Sequence, residues 1–441
     1  MKTPTLFAAG IVASSLCFGS TATLAQDATD SADEVPRFQQ DEFALGFWVD
    51  PPADANMEQA YKEIAEANFN LVIGGFAGRG TEFLNRQLEL CKKHDLVALV
   101  DIRGLEPEEY PDHPNCWGYL LTDEPSAARF SELGEWVSAI REIRPGMLSY
   151  INLYPTYASA QQLGVPTYDE HVRRFVEIVD TDVLSTNHYP DFHRGERRRD
   201  EYIRNLESMR QHSMEADIPF WNFFKAMPFD ALMDPTEAQM RWQIYSSLAF
   251  GAKGVMYFCY FTPTSPSFPE GGALVTREGR LTRKYYQAQR INHAIQNLGP
   301  TLMELESTGA FRMKPEGDFY YVRPDGEFGE GRIFGSLDDR TRAGIPIRSV
   351  KASKEKALPA DLLIGTFIFP DGRRAVMINN YRYAYTSWLT VEFDADPAEV
   401  LEVSQETGEL EPVIDDSPAM EGLQISLPAG GGRLFVLPPA S

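Results

Sequence analysis

Between Phe43 and Tyr260 one pattern recurs eight times: a short apolar, β-rich run, a polar or aromatic tip, and a stretch with helical periodicity. The runs are Phe43–Val49, Phe69–Gly74, Leu96–Val100, Trp117–Leu121, Leu148–Leu153, Val183–Thr186, Pro219–Phe224 and Val255–Tyr260. Successive runs begin roughly 20 to 36 residues apart, which is what a parallel strand and its return helix require. The helical character is plainest over Ala127–Ile143, where Phe130, Leu133, Val137 and Ile140 recur behind Ser126 as N-cap, and Pro145-Gly146 stops it. Eight βα units in about 255 residues predict an α/β fold, a closed (β/α)8 TIM barrel over residues 41–300. An open α/β sheet with one strand miscounted is the alternative; no Gly-rich dinucleotide fingerprint follows the first run to favour it.

Past Leu298-Gly299-Pro300 the texture changes. Short strand-like runs (Leu362–Phe369, Ala375–Asn379, Trp388–Phe393, Leu423–Leu427, Arg433–Leu437) alternate with turns such as Asp371-Gly372 and Gly430-Gly431-Gly432. Residues 301–441 are therefore expected to form a small antiparallel β-sandwich domain, with Phe319–Ser353 either inside it or a long insertion. At the other end, Lys2, an apolar run from Leu6 to Phe18 and Thr23-Leu24-Ala25 have the pattern of a secretory signal peptide over residues 1–25. The acidic stretch 26–40 reads as a disordered leader. The mature chain is then secreted or periplasmic, and no later segment has the apolar length of a membrane span. A net charge of −23 sets a repulsive field against nucleic acid. Cys91, Cys116 and Cys259 have no zinc-site spacing and allow at most one disulfide. No metal or organic cofactor is implied, and the oligomeric state is not fixed.

In such barrels chemistry sits at the C-terminal strand ends. Read in order, the tips carry Trp48 and Asp50, Arg79, Asp101 and Arg103, Asp123-Glu124-Pro125, Asn152 and Tyr154, Asn187-His188-Tyr189, then Trp221, Asn222 and Lys225, and finally Tyr260. Aromatic faces stack on pyranose rings while Asp, Asn and His bond hydroxyls, so a carbohydrate is the expected partner. Glu124 is the sharpest candidate. It follows an apolar strand beside a second carboxylate, and like charges raise one pKa toward the range a general acid needs. The plainer reading is that Asp123 or Glu124 caps the next helix.

Leu121-Thr122-Asp123-Glu124-Pro125 resembles the fourth-strand acid/base motif of clan A glycoside hydrolases, and His188-Tyr189 resembles their sixth-strand tip. Phe250–Phe258 and Gly279–Tyr286 are similar to family 42 type β-galactosidase-like barrels, over roughly residues 43–300. Leu427-Pro428-Ala429-Gly430 with Arg433-Leu434-Phe435 resembles the closing strands of the sandwich such enzymes carry. The resemblance implies a glycoside hydrolase with Glu124 as acid/base and His188, Tyr189, Trp221 and Asn152 around the sugar. Two positions depart from it: Asp123 stands where the clan has Asn, and strand seven, Phe220–Lys225, lacks the nucleophilic Glu.

Three repairs stay open. Asp50, Asp101, Asp191 or Glu270 supplies the second carboxylate; or Asp123 and Glu124 serve substrate-assisted hydrolysis; or the barrel only binds glycans. A lyase acting on a uronic polymer, with Tyr189 or His188 as base, is a further class. Arg194 and Arg197–Arg199 after strand six, with Arg79, Arg103 and Lys225, point to an anionic sugar polymer, uronic or sulfated. Alternatively, Arg197–Arg199 merely open a helix and pair with Glu196, Asp200 and Glu201.

Overall fold

The computed structural model describes residues 35–440 apart from 54–55, 76–77, 193–195, 231, 315–317, 324–332, 353–359, 417 and 419–421. The signal peptide and most of the leader thus lie outside the described residues, as does Arg194.

The eight predicted runs become eight parallel strands: β1 (Ala44–Phe47), β2 (Leu71–Ile73), β3 (Val97–Asp101), β4 (Cys116–Asp123), β5 (Leu148–Leu153), β6 (Leu184–Asn187), β7 (Phe220–Lys225) and β8 (Gly254–Phe258). They close in sequence order, with β8 returning to β1 in the register Ala44 to Gly254 and Phe47 to Tyr257. Inward side chains, among them Leu71, Leu99, Leu120, Tyr150, Trp221, Phe223 and Met256, fill the barrel. Outward ones pack under helices α1 (Met57–Glu66), α2 (Thr81–Lys93), α3 (Phe130–Ile143), the short α4 (Ala160–Leu163), α5 (Tyr168–Val179), α6 (Glu196–Ala216), α7 (Glu237–Ala249) and α8 (Arg283–Glu304). Both faces of each strand are covered, so the runs are almost continuously apolar. At Gly118 the close approach of β5 forbids a side chain: a Cβ there would lie 2.0 Å from the Leu148 carbonyl oxygen.

Helix α3 buries Phe130, Leu133, Val137 and Ile140, as their spacing predicts. Ser126, in contrast, makes no capping bond; a 3-10 turn at Ala127–Arg129 starts the helix instead. Helix α8 runs through Pro300 to Glu304 rather than stopping there. The end of the expected disordered leader is ordered: Arg37 pairs with Asp180 and Asp182, Phe38 is buried, and Gln40 accepts from Trp221 Nε1 at 2.9 Å. An arginine with two carboxylate partners and an aromatic with a core to enter offset the cost of ordering those residues.

The remaining strands are β9 (Glu306–Met313), β10 (Phe319–Val322), β11 (Phe334–Ser336), β12 (Ile347–Ala352), β13 (Leu362–Ile368), β14 (Arg374–Asn380), β15 (Ser387–Phe393), β16 (Leu401–Val403), β17 (Leu410–Pro412), β18 (Leu423–Leu427) and β19 (Gly432–Leu437). They form one sheet in the order β11-β10-β9-β13-β14-β19-β16-β17 and a second, β12-β15-β18. Phe319–Ser353 thus belongs largely to these sheets. Alternation along the large sheet decides what it covers. Leu362, Ile364, Val376, Ile378 and Phe435 join the core shared with the small sheet, while Leu363, Ala375, Met377, Leu434 and Val436 join the barrel core. Gly365 lets β13 touch α7, since a Cβ there would meet the Ala249 carbonyl oxygen at 2.2 Å.

Charged residues fasten the same seam. Arg312 of β9 is buried against Asp361 at 3.1 Å and reaches Asp200 of α6 at 3.2 Å, with its guanidinium 3.9 Å from the Tyr381 ring. Arg199 of α6 lies 5.1 Å from the Tyr381 ring and 5.4 Å from that of Tyr383, and donates to the Tyr381 carbonyl at 3.3 Å.

Candidate functional site

The polar centre of the barrel mouth is built where β4, β5 and β6 end. Cross-strand register sets Asp123 level with Asn152, and Asn152 level with Ser185. Asn152 Nδ2 donates to Asp123 Oδ1 and to Asn187 Oδ1, both at 3.0 Å, and Ser185 Oγ donates to Asn152 Oδ1 at 3.0 Å. Asn187 Nδ2 in turn donates to Glu124 Oε1 at 3.0 Å. The two carboxylates are therefore joined through two amides rather than lying loose at a loop tip.

Glu124 leaves the strand with φ 47°, and its N–H donates to the Asn152 carbonyl at 2.8 Å. A non-glycine residue in the left-handed region costs of order 1 kcal/mol, and here that turn brings the side chain to Asn187. Val49 is held the same way, at φ 67°, just after Trp48.

Burial pushes the Glu124 carboxyl above its usual range; the Asn187 bond opposes this, and the Asp123 charge adds to it. The like charge expected to dominate is the smaller cause. Asp123 is also raised, by the protein crowding its inner side, although the residue stays open to solvent. Tyr154 stands beside the pair: burial and the charges of Glu124 and Asp123 raise its phenol.

Next to this pair is a recess of about 30 Å³ lined by Trp48, Asp123, Asn152, Asn187, Tyr189, Phe223 and Phe258. Trp48 meets Phe223 edge to face at 5.6 Å, and Tyr189 packs on Phe258 at 5.2 Å and Phe229 at 5.4 Å. His188 is buried, with the Tyr157 ring 4.9 Å and the Tyr202 ring 5.5 Å away. Four residues expected from the strand tips thus line one recess with Asp123, namely Trp48, Asn152, Asn187 and Tyr189, and Glu124 is bonded to one of them, Asn187.

Other expected site residues lie elsewhere. Trp221 faces the barrel interior but two residues deeper than Phe223, against Trp117 and Gln40 at the opposite end. Asn222 points outward, donating to Tyr202 Oη at 2.8 Å and Ser247 Oγ at 3.0 Å. Tyr260 is buried, stacked on Phe47 at 4.4 Å. Asp50 is buried beside Gln87, whose Nε2 donates to it at 3.3 Å. Asp101 is buried between Arg79 at 2.9 Å and Arg103 at 2.7 Å. Burial works to raise that carboxyl, but the Arg103 bonds and the Arg79 charge outweigh it and hold it low. Glu270 pairs with Arg277 at 3.1 Å.

Lys225 is fully buried, its ammonium 5.7 Å from the Phe192 ring and without a hydrogen-bond partner among the described residues. Burial pushes its pKa down to about 8, with the Asp191 charge opposing. Phe223, Phe258 and Tyr157 were not singled out from the sequence. For Phe223 the signal was present: on β7 the inward positions alternate, and 223 is the inward position level with Asn187.

A larger cavity, about 630 Å³, opens at the N-terminal end, bounded by Arg37, Gln40, Asp182 and Lys253. Its charged groups serve structure: Arg37 holds Asp180 and Asp182, and Lys253 binds the last carbonyls of α8. Among the described residues no group of His, Cys, Asp or Glu is placed to hold a metal, and no helix is long and apolar enough to cross a membrane. The three cysteines 91, 116 and 259 are free and buried.

No protein-family model matches the chain, and no curated protein matches it in sequence. In structure it is similar to Gan42B, a GH42 β-galactosidase from G. stearothermophilus, with TM-score 0.56 and 9% identity over 92% of this chain and 100% of that one. It is also similar to the β-galactosidase of Bacillus circulans sp. alkalophilus, with TM-score 0.53 and 10% identity over 90% and 99% of the two chains. For the cold-adapted β-galactosidase of Rahnella sp. R3 the values are 0.54 and 8%, over 91% and 99%. At these identities the likeness is one of fold: the chain shares with the solved GH42 β-galactosidases a closed (β/α)8 barrel followed by antiparallel β-sheets.

Proposed function

We propose that this chain is an exported glycoside hydrolase in which Glu124 is the general acid/base. One observation carries the reading: a carboxyl pushed upward by burial is held by Asn187 at the barrel mouth, beside Asp123 and an aromatic recess. Such a group keeps its proton nearer to neutrality and can deliver it to a glycosidic oxygen. The fold shared with glycosidases supports the reading, and the pattern of residues 1–25 supports export. The test is release of reducing ends from a panel of neutral, uronic and sulfated glycans by the parent and by Glu124→Gln. Cleavage by the parent that is lost in the variant upholds the reading; binding without cleavage by the parent would make the barrel a glycan-binding protein.

The described residues give less support to an anionic polymer. Arg79 and Arg103 are committed to Asp101, Arg199 to the seam with the sheets, and the recess carries Asp123, which would repel a uronate. A lyase is disfavoured too: burial drives the Tyr189 phenol far above its usual range, which suits a donor better than a base.

A further inference from the structure

The recess beside Glu124 is too small for a pyranose ring. Its 30 Å³ holds about two waters, or a methyl-sized group with one polar atom beside it. Its lining is apolar at Trp48, Phe223 and Phe258 and polar at Asp123, Asn152, Asn187 and Tyr189, the two amides being bonded to one another and to the carboxylates. A hydroxyl would leave those rings unfilled, and a carboxylate would meet Asp123. An acetamido group matches that size and lining: its methyl enters among the rings with its carbonyl oxygen toward the Tyr189 hydroxyl, and its N–H stays at the mouth, toward the solvent-open Asp123 carboxylate. That hydroxyl makes no hydrogen bond among the described residues. Asp123 is fixed for the role through Asn152.

The second observation is the chemistry at strand seven. Phe223 lines the recess, and Asp123 is the one carboxylate in that lining. Asp50 is turned to Gln87, Asp101 to two arginines and Glu270 to Arg277, while Asp191 is buried outside the lining, with its charge acting on the Lys225 ammonium. The nucleophile is then best supplied by the substrate.

Resting on the glycosidase reading above, we propose that Asp123, Tyr189 and the aromatic recess hold the 2-acetamido group of a 2-acetamido-2-deoxy glycoside, whose carbonyl oxygen displaces the leaving group that Glu124 protonates. In the first step the carbonyl oxygen bonds to C1 as the C1–O glycosidic bond breaks. The leaving oxygen takes the Glu124 proton, and the positive charge of the resulting oxazolinium rests at the N–H facing Asp123. In the second step water adds to C1, its proton returns to Glu124, and the C1–O bond of the oxazolinium opens to restore the amide. Attack comes from the face opposite the leaving group, so the substrate must be 1,2-trans and the product keeps its configuration.

The experiment uses the full chain and aryl glycosides of 2-acetamido-2-deoxy-β-glucose and -galactose, compared with aryl β-glucoside and β-galactoside. N-acyl groups of increasing fluorination, from acetyl to trifluoroacetyl, weaken the attacking carbonyl. Cleavage confined to the acetamido substrates, falling about tenfold or more along the fluorinated series and about 10²-fold in Asp123→Asn, supports the proposal. Circular dichroism melting shows whether that variant is folded; should it not be, the fluorinated series on the parent decides alone. Cleavage of substrates lacking the acetamido group, or rates indifferent to fluorination, overturns the proposal and leaves the glycosidase reading standing. No cleavage of any aryl glycoside or of the glycan panel overturns both.

Discussion

Asn187 gives its amide N–H to Glu124 Oε1 at 3.0 Å while its own carbonyl oxygen receives Asn152 at the same distance. The bond favours the charged form of Glu124, against the burial that favours the neutral one. A single amide therefore sets both where the carboxyl points and how readily it gives up its proton.

Replacing Asn187 with Ala removes that restraint, and the Glu124 pKa is expected to rise further. Activity that needs protonated Glu124 falls as pH climbs through this pKa, so the alkaline limb of the pH–rate profile should move to higher pH. Loss of positioning should lower kcat about tenfold. A limb that stays in place would show that Asn187 does not govern Glu124.

Glu124→Gln should abolish turnover, by about 10²- to 10⁴-fold, yet not destabilise the fold. A carboxyl whose folded pKa is raised binds protons more tightly in the folded state, so its favourable contribution is present at low pH and lost as pH rises through that value. At neutral pH the variant should melt at or above the parent, and the gap should narrow on acidification. Thermal melts at several pH values read this directly.

Gly118→Ala places a methyl against the Leu148 carbonyl, in the β4–β5 pairing that carries Asp123 and Asn152. The strands must part or shift, at a cost of about 3 kcal/mol or more. Urea unfolding should show a lower midpoint, and a midpoint equal to the parent's would mean the strands accommodate it.

Arg312→Ala leaves Asp361 and Asp200 without their shared cation in a buried seam. Removing one partner of such a group costs about 3–5 kcal/mol, whereas exposed Arg348, paired with Asp394, should change by about 1 kcal/mol or less on the same substitution. Denaturant titrations of the two variants compare these effects.

The barrel was legible because strand and helix periodicities repeat eight times, and each repeat reports on the same closed sheet. Glu124, Asp123, Asn152, Asn187 and Tyr189 were legible because strand ends converge whatever the loops do. What misled was residue type used without depth. Trp221 and Phe223 share a face of β7, but only the latter reaches the mouth; Asn222 is one residue out of phase and faces the helices. The arginines misled for another reason: Asp101, itself a strand-tip candidate, takes up both Arg79 and Arg103, and the aromatic partners of Arg199, Tyr381 and Tyr383, are distant in sequence. The order of residues 36–40 could not be read from composition, since it depends on Asp180, Asp182 and Trp221 arriving beneath them.

The large sheet has a further consequence for how the chain is made. Strand β19, the furthest along the chain of those described, lies in the middle of that sheet between β14 and β16. The side of the barrel at α7, which β13 and β14 cover, therefore waits for Gly432–Leu437 to be synthesised before its cover is complete. Until then an apolar plate lies open to other chains, a hazard for any late-closing β-structure. Ribosomal pausing or early termination before Gly432–Leu437 should thus be read out as aggregation through the uncovered side of the barrel.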